Sequence, residues 1–265
     1  MKRCLLCCQN TDHLAKAHIF AVGFFAKQMT KAHVNSVSPS DGKGRRLPNA
    51  LYDHEIICDE CEHRIMQPLD DNAIKVFRDK MGGYRIPLPA EAPMGMLVFE
   101  DVDRRKIRAF LGSVLWRLSV SKQPEVRNIS IGNIFKERIQ EDLLHDGDFS
   151  YVDMLLMYLA HPVHGAFALP NRIRLAPIDK DRDWQRINGW KLALPNIMIQ
   201  VSLDKRPHPS RMFLKLAPDL TGRDNPLYAS TSLAQDDDKY CLLAFESVRD
   251  DGAIKQILKA LDKWT

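Results

Sequence analysis

Cys4-Leu5-Leu6-Cys7 and Cys58-Asp59-Glu60-Cys61 are the stretches of sequence that decide how the first quarter of the chain folds. Each begins and ends with a cysteine, and two such pairs supply four thiolates at the spacing suited to a tetrahedral metal site. Zinc binds sulfur well and has no redox chemistry, so it is the expected metal. We therefore predict that residues 1–65 fold around one structural zinc ion held by these two pairs.

Alternatives at this site stay open on sequence grounds. The thiols could be buried or redox-active without a metal, and Cys8 could replace Cys7 because its spacing from Cys4 is also geometrically possible. His54 or His63, which flank the second pair, could also replace a zinc ligand. The remaining cysteine, Cys241, lies alone in an apolar segment, and we expect it to be a buried strand residue.

The composition is that of a globular protein. The chain has 265 residues, a length that fits one large or two small domains. Of these residues 45% are hydrophobic, which is usual for a protein with a buried core. Lys and Arg number 38 against 34 for Asp and Glu, so the net charge of +4 permits nucleic-acid binding without requiring it. No apolar run approaches the roughly 18 residues that span a bilayer, and the apolar stretch near the N-terminus is shorter than that expected of a signal peptide. We therefore expect no membrane partner and a cytoplasmic location.

The residues between the two cysteine pairs must contain structure of their own. Residues 14–29 suggest a short strand leading into a helix, whereas residues 35–49 are loop-like and locally basic. A helical pattern begins at Asp59, is interrupted by Pro68 and ends before Gly82-Gly83. A cysteine pair on a turn, a middle hairpin and a second pair at a helix start describe a treble clef, which we assign to a domain of residues 1–85.

The rest of the chain predicts a second domain over residues 95–265. A Pro-rich stretch at residues 86–93 suggests a linker. Helical periodicity follows at residues 103–121, 132–144 and 151–159. Strand patterns come next, at residues 166–178, 190–203, 212–216 and 240–246, with turns at 188–189 and near Pro207 and Pro209. The last element is a helix at residues 251–264. The fold class is therefore α+β: a zinc unit, three helices, a mostly antiparallel sheet and a C-terminal helix.

The first of these helices is rich in basic residues. They lie mainly off its apolar stripe, where they could bind phosphates or simply be solvated. The residues are Arg104, Arg105, Lys106, Arg108 and Arg117.

The order of motifs resembles that of zinc-stabilised HNH endonucleases and of uncharacterised bacterial proteins related to them. The resemblance covers about residues 1–80 and continues more weakly to about residue 120. It is carried by the first cysteine pair, by Lys16-Ala17-His18-Ile19-Phe20, and by Tyr52-Asp53-His54-Glu55-Ile56-Ile57 followed by the second pair and Glu62. It implies a metal-dependent nuclease that hydrolyses phosphodiester bonds in DNA or RNA, with Mg²⁺ or Mn²⁺ at the active site, in a defence or mobile-element setting.

The resemblance also implies roles for particular residues. His18 would be the general base, Asp53 would orient it, and Glu62 or His63 would bind the catalytic metal. Ala17 stands where the family has its first metal ligand and cannot coordinate a metal. A nuclease requires these side chains to converge within reach of one cation.

The alternative is a catalytically inactive zinc scaffold that binds nucleic acid or a protein. In that case His18 could be a core imidazole, and the C-terminal domain could contact a protein partner.

Overall fold

The fold is described from a computed structural model. It describes residues 1–25, 34–37, 44–47, 51–79, 85–87, 95–99, 102–127, 129–158, 167–175, 185–194, 197–203 and 227–230. The predicted strands at 212–216 and 240–246, the predicted helix at 251–264 and Cys241 lie outside these residues. None of the helices in this part of the chain is long and apolar enough to cross a membrane.

Three small antiparallel ribbons form the N-terminal part. Strand β1 (Lys2–Arg3) pairs with β2 (Asn10–Thr11), and β4 (Val34–Val37) pairs with β5 (Gly44–Leu47). Strand β3 (Ala17–His18) pairs with β6 (Tyr52–Asp53), and a short 3-10 helix at Val22–Phe25 follows β3. The segment predicted as a loop at residues 35–49 thus contains most of one hairpin.

A continuous helical segment follows the second cysteine pair. It comprises α1 (Asp59–Cys61), a π-helical turn (Glu62–Met66), α2 (Gln67–Ile74) and a second π-helical turn (Lys75–Asp79). Pro68 lies in the first turn of α2, where its missing N–H is tolerated because the preceding π turn changes the hydrogen-bonding pattern. The predicted interruption at Pro68 is therefore a local change of helix type.

Helix α3 (Arg104–Val120) is the centre of the core. Asp103 caps its start, because the Asp103 side chain accepts a hydrogen bond from the Lys106 N–H. Every residue from Ala109 to Leu118 is buried, so this helix has no solvated face along that length. Helix α4 (Asn133–Leu144) packs beside α3. The predicted positions of both helices are confirmed to within two residues.

Seven strands of the described residues form one sheet: β7 (Arg85–Pro87), β8 (Gly95–Phe99), β9 (Val152–Tyr158), β10 (Phe167–Leu175), β11 (Gln185–Leu194), β12 (Ile197–Leu203) and β13 (Leu227–Ser230). Their order across the sheet is β10-β11-β12-β9-β13-β8-β7. All neighbours are antiparallel except β13 and β9, which confirms the mostly antiparallel sheet. The sheet thus begins within the stretch predicted as a linker, and the described residues form an α+β arrangement.

Two predictions in this region are wrong. The sequence predicts a helix over residues 151–159, but Val152–Tyr158 is the strand β9, paired on both sides in the sheet. A short apolar run has no periodicity that separates a buried strand from a buried helix, so the pairing of neighbouring strands decides.

The predicted turn at residues 188–189 is also wrong. Asn188 pairs with Arg172 inside β11, and the chain reverses later, between Leu194 and Ile197. Pro195-Asn196 lies between those strands and is the turn signal that the sequence supplies there.

Candidate functional site

The first cysteine pair lies on the turn that joins β1 to β2. The Cys4 N–H donates to the Gln9 carbonyl at 2.9 Å, which closes the turn. Cys8 has a left-handed backbone conformation with φ of 61°, and this reverses the chain toward β2. The turn directs Cys4 and Cys7 into the molecule while the Cys8 side chain is exposed.

The second pair lies at the start of α1. Cys58 is the extended residue before the helix, and its carbonyl accepts a hydrogen bond from the Glu62 N–H at 3.0 Å. Because residues three apart lie on the same side of a helix, Cys58 and Cys61 point in one direction.

The two pairs meet as one cluster. The Leu5 N–H donates to the Ile56 carbonyl at 2.8 Å, and the Cys58 N–H donates to Cys4 Sγ at 3.3 Å. The four sulfur atoms all lie within 4.8 Å of one another, with Cys7 and Cys58 Sγ separated by 3.9 Å. Zinc–sulfur bonds of about 2.3 Å in a tetrahedron require sulfur–sulfur distances of about 3.8 Å. The predicted grouping is confirmed, and the four thiols can hold a structural metal such as zinc.

The electrostatic interactions among the cysteine thiols also favour a bound cation. Hydrogen bonding from the Cys61 thiol lowers the pKa of Cys4 to about 4, although burial opposes this. The same bond raises the pKa of Cys61, and burial and the Cys4 charge raise it further. Without a cation the sulfurs therefore compete for negative charge, and a divalent metal relieves that repulsion.

Cys8 does not belong to the cluster. Its Sγ accepts a hydrogen bond from Gln140 Nε2 at 3.4 Å, and the same nitrogen donates to the Leu6 carbonyl at 2.6 Å. Helix α4 therefore contacts the first cysteine turn. Among the residues that the structure describes, no second group of three or more His, Cys, Asp or Glu side chains is close enough to hold a metal.

The β3–β6 ribbon separates two of the predicted catalytic residues. Ala17 pairs with Asp53, and His18 pairs with Tyr52. Residues directly opposite in an antiparallel pair share a face, and successive residues alternate between faces. His18 and Asp53 therefore lie on opposite faces, and the structure does not bring them together.

Asp53 lies on the inner face of this ribbon and is 2% exposed. Its Oδ1 accepts a hydrogen bond from the Glu55 N–H at 2.8 Å, and its Oδ2 accepts one from the Ser121 hydroxyl at 2.7 Å. Ser121 is the residue at the C-terminal end of α3. The Asp53 carboxylate thus connects the ribbon to α3.

The outer face of the ribbon carries four polar or aromatic side chains, which we call the ribbon face: Lys16, His18, Tyr52 and His54. The Lys16 Nζ lies 4.0 Å from the centre of the Tyr52 ring. The rings of His54 and His18 meet Tyr52 edge to face, with centre distances of 5.0 and 6.2 Å. Lys16 and His54 are exposed, and His18 and Tyr52 are half-buried.

His18 presents a neutral imidazole on this face at neutral pH. Burial lowers its pKa, the positive charges of Lys16 and Arg117 lower it further, and the Asp70 carboxylate opposes them. No hydrogen bond reaches the His18 ring nitrogens from the residues that the structure describes.

Glu62 and His63 differ in their surroundings. Burial raises the pKa of the Glu62 carboxyl, Arg117 opposes this, and the Glu62 Oε2 is buried without a hydrogen-bond partner in the described part of the chain. His63 is exposed, and its Nδ1 donates to the Asp59 carbonyl at 2.7 Å. The Arg117 charge thus acts on the Glu62 carboxyl.

Three of the five basic residues predicted on the face of α3 are paired with carboxylates in the described part of the chain. Arg105 binds the Asp146 carboxylate and the Asp146 and Gly147 carbonyls, and Lys106 lies 3.8 Å from Asp103. The prediction is wrong for Arg117, which is fully buried because α3 is surrounded by protein at that turn.

Comparison with known proteins yields no relative. No family model, curated protein or solved structure matches this chain significantly. Its site is therefore interpreted from its own residues.

Sequence reasoning missed the partners of the candidate residues, which are Asp70, Ser113, Arg117, Ser121 and Gln140. The available signal was Arg117 itself. It follows Val114, Leu115 and Trp116 and precedes Leu118. An arginine within such an apolar helical run indicates a buried, hydrogen-bonded cation.

Proposed function

We propose that this protein is a nucleic-acid-binding module in which a structural zinc centre, arranged as a treble clef, supports the ribbon face as the contact surface. The zinc cluster fixes the strands beneath this face, since the Ala15 N–H donates to the Ile57 carbonyl next to Cys58. The ribbon face is thus joined directly to the segment that carries the second cysteine pair.

The observation that carries this proposal is the contact between Lys16 and Tyr52 at the surface. An ammonium 4.0 Å from the centre of a half-buried aromatic ring combines a phosphate-binding group with a stacking group. Proteins that bind single strands use this combination: cations bind the backbone and aromatic rings stack on bases. His18 and His54 extend the same surface with further rings.

A second candidate is an HNH-like nuclease that uses Mg²⁺ or Mn²⁺ together with His18 of the ribbon face. His18 favours it, because an accessible imidazole with a lowered pKa is a competent general base at neutral pH. Glu62 favours it too, because the Glu62 Oε2 lacks a partner in the part of the chain that the structure describes and a carboxylate suits a hard cation. In this candidate Asp53 acts by supporting the ribbon rather than by orienting the imidazole.

Binding is tested by fluorescence anisotropy with labelled single- and double-stranded DNA and RNA oligonucleotides. Tyr52→Ala and Lys16→Ala should each weaken binding about tenfold, the loss expected for one stacking or phosphate contact. Lys75 is an exposed cation in the second π-helical turn and is not one of the four ribbon-face residues, so Lys75→Ala is the matched control. Wild-type affinity in both ribbon-face variants contradicts the proposed surface.

Cleavage is tested with the same oligonucleotides in the presence of Mg²⁺ or Mn²⁺. A nuclease should cut them, and His18→Ala should abolish cleavage while zinc content stays unchanged. Binding without cleavage under either metal supports the binding module. Absence of both binding and cleavage contradicts both candidates.

A further inference from the structure

The guanidinium of Arg117 is the centre of a buried network of hydrogen bonds. Its side chain is fully buried, yet all five of its N–H groups have an acceptor. Nη1 and Nη2 donate to the Asp70 carboxylate at 3.0 and 2.7 Å. Nε donates to the Ser113 carbonyl at 3.4 Å, Nη2 also to the Ser113 hydroxyl at 3.2 Å, and Nη1 also to the His18 carbonyl at 2.5 Å.

These bonds join three elements that are far apart in sequence. Ser113 lies on α3 with Arg117, Asp70 lies on α2, and His18 is the last residue of β3. A buried charge is tolerated only when it is paired and its hydrogen bonds are satisfied, and here both conditions hold. Lysine has three donors without a planar fork, so it cannot make the same five bonds.

The bond to His18 matters because strand β3 is too short to fix that residue alone. β3 and β6 share only two residue pairs, Ala17 with Asp53 and His18 with Tyr52. Beyond them, the Ile19 N–H donates to the Leu51 carbonyl at 2.8 Å. The bond from Arg117 to the His18 carbonyl ties this end of the strand to the core.

We propose that Arg117 is the positioning residue for His18: by holding its main-chain carbonyl, with Asp70 as counterion, it sets the place of the imidazole on the ribbon face. The inference rests on the proposed function, because His18 belongs to the surface proposed there. Arg117 is buried and does not itself contact a ligand.

Electrostatics supports this geometry. Burial lowers the pKa of Arg117, but the Asp70 carboxylate, aided by Glu62, raises it by more, so the guanidinium stays charged. That charge in turn lowers the pKa of His18. Arg117 therefore acts on His18 through both a hydrogen bond and a field.

The test uses the full chain with zinc and a double variant, Arg117→Met with Asp70→Leu. Replacing a buried ion pair by apolar side chains of similar size preserves folding in favourable cases, while it removes the bond to the His18 carbonyl. The readouts are zinc content, the imidazole NMR signal of His18, assigned by its loss in His18→Gln, and affinity for the single-stranded oligonucleotide. Arg105→Lys, which alters the more exposed pair with Asp146, is the control.

We expect the double variant to keep its zinc, to show a displaced and broadened His18 signal with a changed titration midpoint, and to bind about tenfold more weakly. The control should resemble wild type in each readout. A zinc-loaded, folded double variant with the wild-type His18 signal overturns the inference.

A second variant covers the case in which the double variant does not fold. Arg117→Lys keeps the charge but not the five-bond geometry, so it should displace the His18 signal, and an unchanged signal overturns the inference. The NMR readout does not depend on nucleic acid. If wild-type protein binds no oligonucleotide, the proposed function fails. The NMR signal of His18 then still tests whether Arg117 positions that residue.

Discussion

The cysteine cluster is one of two buried polar centres that hold distant segments together. The other, which we call the Arg117 junction, consists of Arg117 with Asp70, Ser113 and the His18 carbonyl. Each joins segments distant in sequence: Cys58 meets Cys4 across 54 positions, and Arg117 meets the His18 carbonyl across 99. The cluster gathers like groups that repel one another until a cation is bound, whereas the junction pairs opposite charges within the chain itself. We therefore expect the first centre to depend on a bound metal ion and the second to depend on its own side chains.

The largest effect should follow from removing one cysteine of the cluster. Cys61→Ser leaves three thiolates, and structural zinc contributes about 10 kcal/mol of folding free energy in small zinc units. We expect zinc content measured by atomic emission to fall close to zero and the thermal unfolding transition to lose cooperativity.

Cys8→Ser is the matched control for that variant. Cys8 is next to Cys7 in sequence but lies outside the cluster. It should keep one zinc per chain, and loss of zinc from Cys8→Ser but not from Cys61→Ser contradicts the assigned ligand set.

Breaking the junction on one side should have the next largest effect. Asp70→Ala leaves the buried Arg117 charge without its counterion, which costs about 3–5 kcal/mol of unfolding free energy. Removing both partners, as in Arg117→Met with Asp70→Leu, should cost less because no charge stays buried alone. Denaturant unfolding followed by circular dichroism measures both.

The exposed pair of Arg64 and Glu60 provides the comparison for Asp70→Ala. Both side chains are more than half exposed, and Glu60→Ala should cost less than about 1 kcal/mol. Equal losses in Asp70→Ala and Glu60→Ala contradict a stabilising role for the buried pair.

The difference between the two centres also explains what the sequence can predict. Each cysteine pair is local, so the spacing of Cys4 with Cys7 and of Cys58 with Cys61 is enough to indicate a shared metal. The junction has no such spacing: Asp70 lies 47 positions from Arg117, and its third partner is a main-chain carbonyl, which no side-chain pattern reveals. The sequence accordingly predicts Arg117 on a basic surface, whereas the residue lies in the core.

The same reasoning applies to the strands and to the candidate catalytic residues. The sequence predicts a strand at Trp190 and Leu192, and both lie buried in β11, two positions apart as residues on one face of a strand are. Register is not visible in a single strand, so the sequence could not show that His18 opposes Tyr52 rather than Asp53. That one-residue difference in register places the two side chains on opposite faces.

A smaller effect should come from Asp53, which supports the ribbon from its inner face. Asp53→Ala removes the acceptor of the Ser121 hydroxyl and of the Glu55 N–H, and leaving these donors unpaired costs about 1–3 kcal/mol. Denaturant unfolding measures the loss. Ser121→Ala removes one of the two bonds and should cost less, whereas a larger loss in Ser121→Ala than in Asp53→Ala contradicts this assignment.

The smallest effect should be a pH dependence of stability caused by His18. Burial lowers the pKa of His18 in the folded state below its ordinary value of 6.5, so the unfolded chain binds the proton more readily. The stability contributed by the neutral imidazole is then fully present above about pH 6.5 and is lost as the pH falls through the lower, folded pKa. His18→Gln should lack this part of the pH dependence while retaining that of the other histidines. The measurement is the unfolding free energy of wild type and of His18→Gln between pH 5 and 8. The difference between the two proteins should change only in the acidic half of this range. A difference that stays constant across the range contradicts a lowered pKa of His18.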